Sequence, residues 1–181
     1  MPSPILGIIA AQNYPRITTS FESIATVSVG SGGSSSIDFT SIPGTFAHLQ
    51  LRITEKFSSS TFNPKITFNS DTATNYSWHY LSGDGSSASA GAGATQAFMY
   101  LNSNSGSSTM TVHIVDILDY ANSNKNKTIR VLDGFDNNGS GYVSLFSGNW
   151  RSASAITSIN IAGGTFGQYS HFALYGIKGV A

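Results

Sequence analysis

The sequence predicts an all-β protein, a jelly-roll-like antiparallel β-sandwich of about ten short strands with an extended N-terminal arm. Short segments alternate between apolar and polar side chains, which is the period of a strand with one buried face. Clusters of glycine, serine and asparagine separate these segments, and no segment shows the 3.6-residue period of a helix. A chain of 181 residues fits one such domain, which we place at residues 21–181, after an arm formed by residues 1–20.

The arm begins with an apolar run, ILGIIAA at residues 5–11, which is followed by Pro15. This run is too short to span a membrane, and no basic residue precedes it, which favours an arm over a signal peptide. An apolar terminus needs cover on its own domain or on a neighbour. We therefore predict that the arm anchors the protein to a partner through five side chains: Ile5, Leu6, Ile8, Ile9 and Tyr14.

Strands are predicted in order at residues 21–29, 37–39, 46–56, 62–69, 76–81, 96–101, 109–120, 128–133, 142–146, 154–162 and 171–177. Within the stretch 39–53, the pair Pro43-Gly44 is typical of a type II turn, so this stretch predicts a strand, a tight turn and a second strand. The polar face of that second strand carries His48, Gln50 and Arg52, and we expect part of it to contact a neighbouring subunit.

Two further stretches are predicted to be loops. Ser82–Thr95 is a run of fourteen small residues without periodicity, and Gly134–Gly141 is rich in glycine and asparagine. The strand 109–120 has apolar residues on both faces at its centre, so it is expected to be covered on both sides or to face another subunit.

The charge of the chain argues against nucleic-acid binding and leaves two interpretations of its surface open. Nine basic and nine acidic residues give a formal net charge of zero, without the basic surface that binds nucleic acid. Charged residues make up only 10% of the chain, and short hydroxyl and amide side chains replace them. Such a surface does not repel other copies and suits subunit contacts, but it equally suits a soluble β domain with a polar exterior.

No group of residues predicts a catalytic residue, a cofactor site or a metal site. The four histidines fall in four different strands and lack the close spacing of metal ligands. The stretch 133–138 has oxygens for a calcium ion, but turn chemistry explains its Asp and Asn residues equally well. Tyr76, Trp78 and Tyr80 share one strand face, which fits a sugar-stacking platform or a buried core.

Four motifs follow one another along the chain: NYPR at 13–16, SFESIATV at 20–27, FTSIP at 39–43 with HLQLR at 48–52, and FALYGIKG at 172–179. Together they resemble a family of small β-rich virion proteins of tailed bacteriophages, cyanophages among them. The resemblance covers nearly the whole chain. It implies a particle component that is capsid decoration or cement, or part of a tail appendage. It also implies trimers of jelly-roll-like subunits and carries no catalytic residues.

The leading expectation is therefore a non-enzymatic virion protein that decorates or cements the capsid as a homo-oligomer, in the form of a trimer. Its partners would be other copies and the major capsid protein, without nucleic acid or membrane, and it would join the virion in the host cytoplasm. The alternative is a tail fibre or adhesin that binds host glycans through Tyr76, Trp78, Tyr80 and the loops Ser82–Thr95 and Gly134–Gly141. An enzyme acting on surface polysaccharide is the least favoured class, because the acidic residues are scattered.

Overall fold

The computed structural model describes residues 20–58, 62–103 and 109–179, and these residues form an all-β, sandwich-like arrangement of two antiparallel sheets. The predicted fold class is confirmed. The described residues contain twelve strands: β1 (Phe21–Ser28), β2 (Ser34–Phe39), β3 (His48–Glu55), β4 (Lys65–Phe68), β5 (Tyr76–Gly83), β6 (Ala88–Gln96), β7 (Met99–Tyr100), β8 (Thr111–Leu118), β9 (Lys127–Asp136), β10 (Gly141–Trp150), β11 (Ile159–Phe166) and β12 (His171–Ile177). Within these ranges we find no helix with the length and apolarity needed to cross a bilayer.

The large sheet has eight strands in the order β1-β12-β3-β8-β9-β10-β5-β6, and the small sheet has four in the order β2-β11-β4-β7. Alternate residues of the large sheet point inward to the core. Leu51, Val115, Val131 and Phe146 on four neighbouring strands are each at most 1% exposed. Burying each such side chain stabilises the fold by about 1.5–3 kcal/mol. The opposite face of the same sheet is the outer face.

The stretch 39–53 crosses between the two sheets, so the predicted tight strand–turn–strand unit is wrong. β2 belongs to the small sheet and β3 to the large one. Gly44 is not among the positive-φ glycines, whereas Ser41 has a φ of 54°, so Pro43-Gly44 does not form a type II turn. Ile42 is buried and its N–H donates to the Thr157 carbonyl at 3.0 Å. These tertiary contacts determine the course of the corner.

The small-residue stretch forms a strand and not the predicted loop. Residues 88–96 are β6, the edge strand of the large sheet, paired along β5. Gly93 lies opposite Trp78 and Gly91 opposite Tyr80, and a Cβ at either glycine would lie 2.5 Å from the aromatic ring. The rings of β5 therefore occupy the space that side chains of β6 would fill. Because glycines take these positions, residues 88–96 show no alternation of apolar and polar side chains. The sequence of this stretch therefore indicates a loop.

The predicted loop Gly134–Gly141 is the tip of the β9–β10 hairpin. Both strands continue into it, with Asp136 paired to Gly141. Asn138 and Gly139 have φ angles of 51° and 112°, and the Asn137 N–H donates to the Ser140 carbonyl at 2.7 Å. Two positive φ angles at an Asn-Gly pair are typical of a type I′ turn, the connection that matches strand twist.

Candidate functional site

One end of the sandwich interior carries polar side chains where an apolar core is expected. His113, Asp133, Ser144, Ser82 and Ser89 are successive cross-strand neighbours on β8, β9, β10, β5 and β6. The first three are buried, and the two serines line a cleft at the edge of the sheet. We call these five residues the inner polar row. Polar groups cost free energy when buried without partners, so a row of this kind marks a place where the sequence departs from simple core packing.

The buried end of the row is a carboxylate–histidine–carboxylate cluster. His113 Nε2 lies 3.3 Å from Glu55 Oε1, and His113 Nδ1 lies 3.6 Å from Asp133 Oδ2, which is an ion-pair contact longer than a hydrogen bond. The Ser103 hydroxyl donates to Glu55 Oε1 at 2.6 Å, and the Asn102 N–H donates to Asp133 Oδ2 at 3.0 Å. Glu55 Oε2 and Asp133 Oδ1 have no hydrogen-bond partner among the described residues.

The protonation of His113 reflects these neighbours. Burial lowers the pKa of His113, but its contacts with Asp133 and Glu55, together with their negative charges, outweigh burial and raise the pKa above its ordinary value. His113 and Glu55 have no exposed surface, so no solute can contact them in this conformation. The cluster therefore serves as a buried polar network beneath the cleft.

The geometry of residues 133–138 does not support a calcium site. Asp133 points into the core, Asp136 Oδ1 accepts the Asn138 N–H at 2.7 Å, and Asn137 Oδ1 accepts the Thr109 hydroxyl at 3.0 Å. These oxygens do not converge on one point. In the part of the chain that the structure describes, no three His, Asp or Glu side chains are placed to hold a metal ion.

The exposed end of the inner polar row opens into a cleft made of two neighbouring cavities. The outer cavity measures about 590 Å³ and lies between the tips of the β5–β6 and β9–β10 hairpins and the segment 101–103. The inner cavity measures about 320 Å³, and four rings line it: Trp78, Tyr80, Tyr100 and Phe146. Ser82, Ser89 and Asn102 line both cavities. The stretches 82–95 and 134–141, predicted as separate loops, therefore meet in one cleft.

Asp84 is the one charged side chain among the described residues that line these two cavities. Its Oδ1 accepts the N–H groups of Ser87 at 2.7 Å and Ser86 at 2.9 Å. These hydrogen bonds hold the pKa of Asp84 far below its ordinary value, so the carboxylate is ionised at neutral pH. The cleft thus combines hydroxyl and amide groups, one fixed negative charge and an aromatic wall.

The three aromatic residues predicted to contact a glycan lie at different depths. Tyr76 is fully buried, so its predicted role in glycan contact is wrong. Its hydroxyl accepts the Phe68 N–H at 2.9 Å and donates to the Asp71 carbonyl at 3.1 Å, and burial raises the pKa of Tyr76 to about 12. Trp78 and Tyr80 are half-buried and line the inner cavity.

The predicted interface residues lie together on the outer face of β3. Gln50 Nε2 donates to Asp116 Oδ1 at 2.8 Å, and Arg52 Nε donates to Gln50 Oε1 at 2.7 Å. The Arg52 guanidinium lies 5.2 Å and 5.1 Å from the ring centres of Phe21 and Tyr175. His48 Nδ1 accepts the Asp119 N–H at 3.0 Å. These side chains are held by partners within the chain, and their contact with another subunit stays a prediction.

Beside this polar group, the outer face carries a band of large aliphatic side chains that nothing in the described chain covers. Ile114, Leu132, Leu145 and Leu81 are successive cross-strand neighbours, with Val112 and Val143 next to them. Five of the six are between 48% and 58% exposed, and Ile114 is half-buried. We call these six residues the outer band. The strand 109–120 is predicted either to be covered on both faces or to face another subunit. The described residues cover only its inner face, so the first alternative is wrong for this part of the chain.

The anchoring residues predicted at Ile5, Leu6, Ile8, Ile9 and Tyr14 lie outside the described residues.

The sequence does not predict a functional role for four residues that lie at the cluster or the cleft: Glu55, Asn102, Ser103 and Ser144. The one feature of the sequence that points to this site is the position of His113. It shares one face of β8 with Val115 and Ile117, which indicates a buried histidine.

The fold and the cleft together define a class, a two-sheet antiparallel β-sandwich with a polar, aromatic-walled cleft at one end. Comparison with protein-family models, curated proteins and solved structures finds no significant match to this chain.

Proposed function

We propose that this protein is a non-enzymatic structural subunit of a tailed-phage virion, which decorates or cements the capsid as a homo-oligomer. The outer band is the observation that carries this proposal, because exposed contiguous apolar surface is typical of an interaction site. The motifs at 13–16, 20–27, 39–43 with 48–52, and 172–179, which resemble those of small phage virion proteins, support the particle context. The neutral chain supports close association, since copies with zero net charge do not repel one another.

A second copy of the chain is the occupant that we assign to the outer band. The six residues of the outer band lie on four strands, β8, β9, β10 and β5. With strands about 4.8 Å apart and about eight residues long, these four present an outer face of roughly 500 Å². A stable interface buries about 800 Å² on each partner, so the band can supply the apolar centre of such an interface and the adjoining residues of the sheet its rim. The row beside the band places Asp116 opposite Arg130, and these opposite charges can be complemented by charges of a neighbouring copy.

Charging the outer band should dissociate the oligomer. We expect the wild-type chain to have the mass of a trimer by light scattering at micromolar concentration, and the variant Leu132→Glu with Leu145→Glu to have the mass of a monomer. Both side chains are about half exposed in the single chain, so the fold should tolerate the change. Burying a carboxylate in an apolar interface without a partner costs several kcal/mol, which exceeds what such an interface tolerates.

The control is Ser35→Glu, which adds one negative charge at an exposed position of β2 in the small sheet, outside the outer band. It should leave the mass unchanged. A wild-type chain that remains monomeric at about 100 µM, or a double variant that keeps the oligomer mass, would contradict the assignment of the outer band to a second copy.

The location in the particle tests the proposed function itself. Antibodies against this chain should label the heads of purified virions in electron micrographs, and removal of residues 2–19 should abolish binding of the protein to capsids. Labelling of tails would favour the second candidate below. Particles without label, from a preparation in which the protein is expressed, would contradict both the capsid role and the tail role.

The second candidate function is a tail fibre or adhesin component that binds host-surface glycans. The cleft favours it, because half-buried aromatic rings and hydroxyl and amide groups line adjoining cavities. Sugars bind to such surfaces by placing their apolar C–H faces on aromatic rings and their hydroxyls on polar side chains.

A further inference from the structure

The aromatic wall of the cleft is held in place from behind. Trp78 stacks on Tyr100 with ring centres 5.4 Å apart, and Tyr80 lies 5.2 Å from Phe146. On the side of β6, the rings of Trp78 and Tyr80 lie against glycines that have no side chain to shield them. Three of these rings, on Trp78, Tyr80 and Tyr100, are half-buried, so they are fixed by packing and still border the cavity. A rigid ring loses little conformational entropy when a ligand stacks on it.

The polar groups of the cleft are almost all uncharged. Ser82, Ser89 and Asn102 lie where the two cavities meet, and each offers both a donor and an acceptor. Sugar hydroxyls have the same dual character, so they can pair with these groups in either direction. Neither cavity is lined by a lysine or an arginine from the described residues.

Asp84 determines the sign of charge that the cleft accepts. Its ionised carboxylate is fixed by the N–H groups of Ser86 and Ser87, so the negative charge stays at the mouth of the outer cavity. A carboxylate accepts hydrogen bonds from sugar hydroxyls, but it repels the carboxylate or sulfate of an acidic sugar. The described lining holds no lysine or arginine that would attract such an acidic group.

We infer that the cleft is a binding site for a neutral oligosaccharide, with Trp78, Tyr80 and Tyr100 as the stacking wall and Ser82, Ser89, Asn102 and Asp84 as the hydrogen-bonding groups. This inference rests on the second candidate function and adds to it the site and the ligand class. The outer band lies on the opposite face of the large sheet, so a chain that self-associates through the band keeps the cleft open.

Calorimetry with defined probes tests the ligand class. The full chain is titrated with maltohexaose, cellohexaose, mannohexaose and a neutral galactan hexasaccharide, and separately with 3′-sialyllactose and a heparin hexasaccharide. We expect at least one neutral probe to bind and both acidic probes to fail. Binding of acidic probes alone would overturn the neutral ligand class and leave glycan binding standing. Binding of no probe would overturn both this inference and the second candidate function.

A blocking variant tests the site. Ser89 is exposed and lines both cavities, so Ser89→Trp should fill their junction and weaken neutral-probe affinity at least tenfold. Ala92 is an exposed residue of the same strand on the opposite face, and Ala92→Trp should leave the affinity unchanged. Equal affinity of both variants for a probe that binds the wild type would overturn the cleft as its site.

A second measurement does not depend on the folding of the blocked variant. The bound neutral probe should change the tryptophan fluorescence of the wild-type chain, because Trp78 lines the inner cavity while Trp150 is buried in the core. The conservative variant Trp78→Phe should lose this change. A fluorescence change that persists in Trp78→Phe would contradict contact between the sugar and the aromatic wall.

Discussion

Replacement of His113 by leucine is expected to lower the free energy of unfolding by about 3–5 kcal/mol, the cost of breaking a buried ion pair by removing one partner. The histidine lies between Glu55 and Asp133, and none of the three side chains is more than 2% exposed. Without the imidazolium, two carboxylates remain buried with no opposite charge. Urea unfolding of both proteins at pH 6 measures the difference.

The same histidine should give the wild-type protein a particular pH dependence. Because its pKa in the folded state is raised, the folded protein binds this proton more tightly than the unfolded chain, whose histidine has a pKa of about 6.5. Its stabilisation is therefore complete below about pH 6.5 and is lost as the pH rises through the raised pKa, with a slope of up to about 1.4 kcal/mol per pH unit. Asp71 and Asp119 have lowered pKa values, so their stabilisation is lost only in acid, below about pH 4.

Urea unfolding between pH 5 and pH 9 separates this effect from a general loss of packing. His113→Leu should remove the wild-type slope above pH 6.5, whereas the exposed-face control His79→Gln should keep it. The triple variant Glu55→Gln, His113→Gln and Asp133→Asn removes all three charges and should be more stable than His113→Leu. A His113→Leu variant with the wild-type slope would exclude His113 as its source.

Replacement of Trp150 by alanine is expected to cost about 3–5 kcal/mol, the range for truncating a large buried aromatic residue. Trp150 is 2% exposed, and its ring centre lies 5.5 Å from that of Phe68 and 6.3 Å from that of Tyr76. Its Nε1 donates to Asp71 Oδ2 at 2.7 Å. The change therefore removes one aromatic contact between the two sheets and one within the large sheet, and it takes away one of the two side-chain donors to Asp71 Oδ2, the other being Asn75. Denaturant unfolding at pH 7 measures the loss.

Trp150→Phe separates the ring from the hydrogen bond. It keeps most of the apolar contact and should cost less than the alanine variant, about 1–3 kcal/mol. Although burial raises the pKa of Asp71, hydrogen bonds from Asn75 and Trp150 outweigh burial and lower it, so Trp150→Phe should bring this pKa closer to its ordinary value. Equal losses for the phenylalanine and alanine variants would show that the ring contacts contribute little.

Several strands follow from the sequence because alternation is a local property. β3, β8 and β9 are predicted within a few residues of their observed bounds, since their side chains alternate strictly between core and surface. β6 is missed for the converse reason. Its small residues have no pattern of their own, and their suitability for a strand depends on the rings of β5 that lie against Gly91 and Gly93.

The candidate site was predictable only in fragments. The shared face of Tyr76, Trp78 and Tyr80 is visible in the sequence, but their depth depends on which strands cover each ring. The small sheet and Trp150 bury Tyr76, whereas Trp78 and Tyr80 border the cleft. Likewise, His113 acquires its partners from β3 and β9, strands whose contacting residues lie 58 residues before it and 20 residues after it.

The sequence by itself therefore determines that the protein is all-β, where most strands lie and which faces of those strands are apolar. Only the tertiary structure decides that the stretch 39–53 passes between two sheets, that two hairpin tips meet in one cleft, and that His113 lies between two carboxylates. The physical reason is that alternation depends on neighbours two residues apart. Sheet membership, clefts and buried ion pairs depend instead on the pairing of strands that are distant along the chain.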